Sequence, residues 1–190
     1  MNVSNKKVVL SILASLFISH TAFAEGETTP AEPAAPSTVN GGQVTFNGEV
    51  TAGACAVSGE DTNKIVALDT VRAASFTAAN QAGNAKKAFD LSLVDCDMTT
   101  RKTVQVTFNG QTIKDNPGLL ANTAGAGSAQ NVGLQLYGPD GAALNLGESS
   151  SKINLTETTT IPLSVDYMST AATVTAGKVQ SVANFQLTYN

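Results

Sequence analysis

The feature that most constrains this chain is the recurrence of apolar residues at every second position in several short runs. Residues 103–108 alternate threonine or glutamine with valine or phenylalanine, and residues 132–136, 161–167 and 183–189 show the same period. A period of two places the apolar side chains on one face of a β-strand. Because Gly, Asn and Pro separate the runs, the sequence predicts an all-β antiparallel sandwich or barrel.

Three local patterns refine this prediction. Residues 73–88 are rich in alanine, but Gly83, two asparagines and the lack of a 3.6-residue period favour a loop with short strands over a helix. Residues 138–141 (G-P-D-G) predict a turn with proline at its second position. Pro162 interrupts an alternating run, which indicates a strand edge or a bulge.

The first 24 residues have the pattern of a secretory signal peptide. Lys6 and Lys7 precede a short apolar run, and Ala22-Phe23-Ala24 fits the small-x-small cleavage rule. The apolar run is too short for a comfortable membrane span, and no lipid-attachment cysteine stands at the predicted cleavage point. We therefore expect cleavage after Ala24 and an exported, soluble mature chain.

Cleavage changes the charge and the chemistry that the chain carries. Loss of Lys6 and Lys7 leaves 9 of the 11 basic residues against 15 acidic ones, a net charge of −6, which disfavours nucleic acid as a partner. The only histidine, His20, is also lost. No G-x-S-x-G or P-loop motif occurs, and Asp95-Cys96-Asp97 lacks the further ligands of a calcium loop. We expect no catalytic residue, no metal and no cofactor.

Two cysteines remain in the mature chain, Cys55 and Cys96. An even pair in an exported protein predicts a disulfide, and two free thiols are the alternative. Such a bridge closes a loop of about 40 residues, which the chain-entropy model values at roughly 4 kcal/mol.

Two unusual segments precede the first cysteine. Residues 25–38 carry prolines at every third position and predict an extended polyproline II tail. Residues 39–50 contain one apolar face with a gap, because Val44, Phe46 and Val50 share it with Gly48. Glycine weakens a strand interior, so an internal strand with a bulge at Gly48 is one interpretation of this gap.

Several motifs in order resemble the pilins of bacterial chaperone–usher fimbriae, in particular the major rod subunits of type 1 fimbriae. The similar segments are V-N-G-G-Q-V-T-F-N-G-E-V-T-A-G-A-C-A-V (39–57), L-V-D-C-D (93–97), N-V-G-L-Q-L (131–136) and T-I-P-L-S-V-D-Y (160–167). Tyr189 is the penultimate aromatic residue of the family pattern, and Gly177 is the glycine fourteenth from the end.

The resemblance implies an incomplete immunoglobulin-like sandwich, the pilin fold, that lacks its last strand and spans residues 51–190. It also implies that residues 39–50 are a donor-strand arm, which a neighbouring subunit accepts by β-strand addition. The donor-strand residues are then Val44, Phe46, Gly48 and Val50. The groove and the chaperone-facing C-terminal strand contain Gly177, Ala183, Phe185, Leu187 and Tyr189.

The implied function is that of a non-enzymatic structural subunit of a fimbrial rod, which supports cell adhesion. The implied partners are neighbouring copies, a periplasmic pilus chaperone, an outer-membrane usher and tip subunits. The chain is expected to pass through the periplasm to a fimbria on the bacterial surface. A minor adaptor near the tip or base is the alternative. The proline-rich stretch is longer than the family's usual arm, which leaves the start of the donor strand open.

Overall fold

The alternating runs of the sequence form ten strands in a computed structural model that describes residues 41–46, 48, 50 and 52–190. The predicted signal peptide and proline-rich tail lie outside the described residues. The chain divides into two units, Met1–Asn47 and Gly48–Asn190, and all ten strands lie in the second. They are β1 (Ala56–Val57), β2 (Lys87–Val94), β3 (Thr103–Gly110), β4 (Thr112–Ile113), β5 (Asn116–Ala121), β6 (Val132–Tyr137), β7 (Ala143–Leu144), β8 (Ile153–Asn154), β9 (Thr159–Ser169) and β10 (Ala183–Tyr189).

The larger sheet has the order β1-β2-β9-β6-β5-β4, and β7 pairs with β6. Its longest strand, β9, is antiparallel to β2 on one side and to β6 on the other. Every second side chain of β9 from Ile161 to Tyr167 is buried, as the alternation predicts. The strand is central because it pairs on both sides: Thr159–Val165 pair with β2, and Ser164–Ser169 pair with β6.

The smaller sheet has the order β10-β3-β8. Seven consecutive residue pairs join β10 to β3, from Ala183–Gly110 to Tyr189–Val104. On its other side β3 is covered by β8 and by residues 147–150, since the N–H of Gly147 donates to Phe108 and that of Ser150 to Val106. β10 and β8 are thus the two edge strands of this sheet, and β10 is the longer of them.

The two sheets face each other across one apolar core. This core includes Leu91 and Leu93 of β2 and Val104 and Val106 of β3, and all four residues are at most 2 % exposed. Burying such side chains contributes roughly 1.5–3 kcal/mol each. The predicted all-β sandwich is therefore confirmed.

The three local predictions can be compared with the structure. Residues 73–86 form a loop with one 3₁₀ turn at Ala73–Ser75, and β2 begins at Lys87, so the preference for a loop with strand over a helix is confirmed. The N–H of Gly141 donates to the carbonyl of Gly138, which confirms the predicted turn. Pro162 pairs with Asp90 of β2, and in the described chain β6 joins β9 only from Ser164 onward. At Pro162, β9 therefore pairs with β2 alone. Proline has no backbone N–H, and its absence is tolerated because no strand of the described chain lies on the other side at this position.

Candidate functional site

The free margin of β10 is the main feature of the second unit. Among the described residues β10 pairs with β3 alone, so the N–H and C=O groups on its other side have no strand partner. An unpaired strand edge is a ready template for another strand. The seven residues of β10 thus offer a binding edge for an extended segment.

The inward side chains of β10 are less covered than those of the other long strands. Ala183, Phe185, Leu187 and Tyr189 pack against the core but remain half-buried, whereas the inward residues of β3 and β9 are buried. The Phe185 ring lies 6.2 Å from that of Phe108, tilted by 57°. The strand therefore leaves part of an apolar face open.

A second unpaired segment lies between β1 and the 3₁₀ turn. Val66, Leu68 and Val71 are half-buried against the same core, and within the described residues segment 65–71 joins no strand ladder. The hydroxyl of Tyr167 donates to the carbonyl of Asp69 at 3.0 Å and holds the segment in place. We call segment 65–71 the edge segment. Sequence reasoning missed it, although Val66 and Leu68 carry a brief alternation.

The apolar side chains of the edge segment and of β10 together form what we call the groove. At one end, Val71 and Val179 line a cavity of about 330 Å³ that also contacts Phe76 and Val174. At the other end, burial raises the pKa of Tyr189, and a hydrogen bond from the Cys55 backbone partly offsets this. Side chains of both segments pack against the same core cluster, which is why we group them under one name.

The disulfide lies at the Tyr189 end of the groove. Cys55 and Cys96 are joined with an S–S distance of 2.09 Å, which confirms the predicted bridge. Two backbone bonds support it: Asp97 N–H donates to Ala54, and Cys96 N–H donates to Glu157. The bridge ties the start of the first core strand to the chain that follows β2.

Gly177 lies before β10 begins and lines the cavity. A Cβ atom there would collide with the backbone of residues 127–129, because Lys178 forms a bridge with Ser128. Gly177 thus permits a close backbone approach at this end of the groove. The structure places it beside the C-terminal strand rather than in it.

The predicted arm residues are exposed. The side chains of Val44 and Phe46 are 75 % and 90 % exposed, and Val50 is fully exposed. No strand is assigned to residues 41–46, 48 and 50, and no heavy atom of the described chain lies within 4 Å of a Cβ built on Gly48. Nothing in the described subunit therefore requires glycine at this position.

Charged groups near the disulfide form local turns. Both the N–H and the hydroxyl of Thr99 donate to Asp97, which lowers the pKa of that carboxyl group. Across the described residues there is no cluster of three or more potential metal ligands. In the same residues, no helix is both long and apolar enough to cross a membrane.

The sequence comparisons point to one family. The model of the family "Fimbrial protein" matches residues 44–190. The type-1 fimbrial protein A chain of Escherichia coli is 36 % identical over 189 residues, covering 97 % of this chain and 98 % of the relative. The probable major fimbrial subunit LpfA of Escherichia coli O157:H7 is 31 % identical, with 97 % of each chain covered.

The structure comparisons agree with the sequence comparisons. A chain from a chaperone–usher pilus superimposes with a TM-score of 0.67 and 26 % identity, covering 82 % of this chain and all of the other. The P pilus rod subunit PapA superimposes with a TM-score of 0.61 at 21 % identity, over 73 % of this chain and all of PapA. The second similarity concerns the fold alone.

Proposed function

The chain belongs to the fimbrial protein family, and from that premise we propose that it polymerises by donating residues 39–50 to the groove of a neighbouring copy. As a member of this family it is a structural subunit of a pilus rod on the cell surface, without enzymatic activity. It self-associates in that rod.

The unpaired margin of β10 carries the proposal. A strand added beside β10 would satisfy the backbone groups that face away from β3, and the edge segment would flank it on the other side. Each backbone hydrogen bond contributes about 0.5–1.5 kcal/mol net, so a strand of several residues gains substantially. The margin of β10 thus offers the hydrogen-bonding groups that an extended chain needs.

The composition of the arm fits this role. Val44, Phe46 and Val50 recur at even spacing and are exposed in the subunit, so a groove that covers one side of the arm can bury all three. Their burial is worth roughly 1.5–3 kcal/mol each. Gly48 then faces the point where the groove is shallowest. These residues are our proposed donor strand, and 51–190 is the proposed acceptor domain.

Before assembly, the open groove exposes apolar surface that water disfavours. We propose that a periplasmic chaperone covers the groove with a strand of its own against Phe185, Leu187 and Tyr189. An outer-membrane usher would then exchange that strand for the arm of the next subunit, and tip subunits would begin the fibre. Residues 1–24 would direct export, and residues 25–38 would form a tail ahead of the arm.

The test uses a variant lacking residues 25–50, which can accept an arm but cannot give one. Adding a synthetic peptide of residues 39–50 should raise its melting temperature by mass action. A hundredfold excess over Kd stabilises by about 2.7 kcal/mol. The matched control is the same peptide with Gly48→Leu, which should stabilise far less. A truncated chain that is stable by itself and ignores the unmodified peptide would contradict the proposal.

A further inference from the structure

The first core strand leaves the larger sheet at a defined point. β1 pairs with Leu93 and Val94, and the N–H of Ser58 then donates to the carbonyl of Ser92 at 2.9 Å. Beyond Ser58 the chain turns away, since the N–H of Asp61 donates back to the carbonyl of Ser58. The carbonyl of Ser58 is thus used in a turn and is no longer the partner of the N–H of Ser92.

The carboxylate of Asp61 takes the place of that missing carbonyl. Its Oδ2 atom accepts a hydrogen bond from the N–H of Ser92 at 2.6 Å. A side chain therefore completes the hydrogen bonding of β2 where the neighbouring backbone departs. The exposed fraction of Asp61 is only 3 %, which is unusual for a carboxylate and requires compensating partners.

The second partner of Asp61 lies at the start of the edge segment. Lys64 Nζ donates to Oδ1 at 2.5 Å, and the same ammonium lies 3.8 Å from Asp90 of β2. Burial raises the pKa of Asp61, but the bonds from Lys64 and Ser92 outweigh burial and lower it overall. Asp61 is therefore charged at neutral pH and can hold Lys64, the residue directly before segment 65–71.

We propose that Asp61 is a positioning residue for strand acceptance, which sets where the edge segment begins and so keeps the groove open in a single register. This inference rests on the proposed function, because it concerns how the groove meets an incoming strand. Val66 and Leu68 follow Lys64 by two and four residues. A slip of one residue at Lys64 would turn both side chains out of the groove, as the two-residue period of an extended chain requires.

The test uses the full mature chain with its disulfide intact, kept dilute so that its own arms compete little with an excess of a fluorescently labelled peptide of residues 39–50. Asp61→Asn keeps an oxygen for the N–H of Ser92 but removes the charge that holds Lys64. Lys64→Met removes the ammonium from a partly exposed side chain, and the Asp61 carboxylate keeps its hydrogen bond from the N–H of Ser92; far-UV circular dichroism would check that the fold is retained. We expect either change to reduce the fraction of molecules whose edge segment has the binding register to about a tenth. The apparent affinity for the peptide then falls roughly tenfold.

Two further variants separate positioning from general stability. Lys64→Arg restores the cation and should recover most of the affinity. Ser150→Ala is the matched control, since Ser150 is buried and its hydroxyl accepts from the N–H of Val106 at 3.0 Å, on the side of β3 away from β10. It should lower the urea midpoint of unfolding without a comparable loss of peptide affinity.

The outcomes are distinguishable. Wild-type affinity in both Asp61→Asn and Lys64→Met would overturn the positioning role, and so would an equal loss of affinity in Ser150→Ala. Failure of the unmodified chain to bind the peptide would instead overturn the proposed function. Loss of affinity in Asp61→Asn and Lys64→Met, with recovery in Lys64→Arg, is the expected result.

Discussion

Gly48 shows how a single residue can carry information about another molecule. A glycine inside its own fold is explained by a positive φ, a tight turn or a close approach. Gly48 has no close neighbour among the described residues. Gly177, in contrast, is required by the backbone of residues 127–129. The constraint on Gly48 is therefore expected to come from the neighbour's groove.

We predict that Gly48→Leu leaves export and the Cys55–Cys96 bridge intact but prevents polymerisation. Overpacking a close-fitting site typically costs about 1–3 kcal/mol, and in a narrow groove it bars insertion. Electron microscopy would count fimbriae, and periplasmic extracts would show the subunit retained before assembly. Rods in normal number would show that Gly48 does not face a neighbour's groove.

Phe46→Ala removes side-chain volume from the arm, whereas Gly48→Leu adds it. It should permit insertion but weaken the joint between subunits by roughly 3–5 kcal/mol, if the ring is fully buried there. The measurement is the guanidinium concentration at which isolated rods dissociate. An unchanged dissociation midpoint would remove Phe46 from the donor strand.

The Asp61 carboxylate gives a prediction for acid pH. Its pKa is lowered in the folded chain, so its contribution to stability is complete above the unfolded value of about 3.9 and is lost as pH falls through the folded value. Asp61→Asn should therefore lose less unfolding free energy than the unmodified chain between pH 5 and pH 2. The measurement is the unfolding free energy from urea titrations at several pH values. If it falls by the same amount in Asp61→Asn and in the unmodified chain, the prediction is wrong.

At the scale of strands, the sequence predicted β3, β6, β9 and β10 because apolar residues recur at every second position in each, although β6 buries both of its faces and β10 leaves its inward face half-buried. It did not predict the edge segment, whose alternation covers only Val66 and Leu68. The contact of Asp61 could not be predicted from the sequence either, because its partner Ser92 is 31 residues away and no periodic pattern links the two. A contact between a loop side chain and a distant backbone group can be identified only when the three-dimensional fold is known.

The disulfide acts at this same scale, since it fixes β1 and the end of β2 to each other. We predict that replacing both Cys55 and Cys96 by alanine lowers the unfolding free energy by about 2–5 kcal/mol, a cost typical of small exported domains. Denaturant unfolding of the peptide-bound subunit would measure it. A loss below about 1 kcal/mol would mean that the ladder between β1 and β2 holds the groove without the bridge.

At the scale of the molecule, one groove and one proposed arm per subunit suffice for a linear polymer. A rod subunit is present in every repeat, so deleting its gene should abolish the rods. Deleting an adaptor would instead change their number or length while leaving their thickness normal. Electron microscopy of cells with and without the gene distinguishes the two. Rods of unchanged thickness in the deletion strain would contradict the role of main rod subunit.

Backbone hydrogen bonds hold Asn190, the residue after β10, against the residues at the start of β3. The N–H of Asn190 donates to the carbonyl of Thr103. The carbonyl of Asn190 accepts from the N–H groups of Lys102 and Thr103, so Asn190 continues the hydrogen bonding between β10 and β3. An affinity tag fused after Asn190 would emerge beside Tyr189 at the groove. For displaying a foreign epitope on the fimbria, the hairpin tip around Asp140 and Gly141 is the better insertion point. It is exposed, and a peptide loop placed there would leave β10 unaltered.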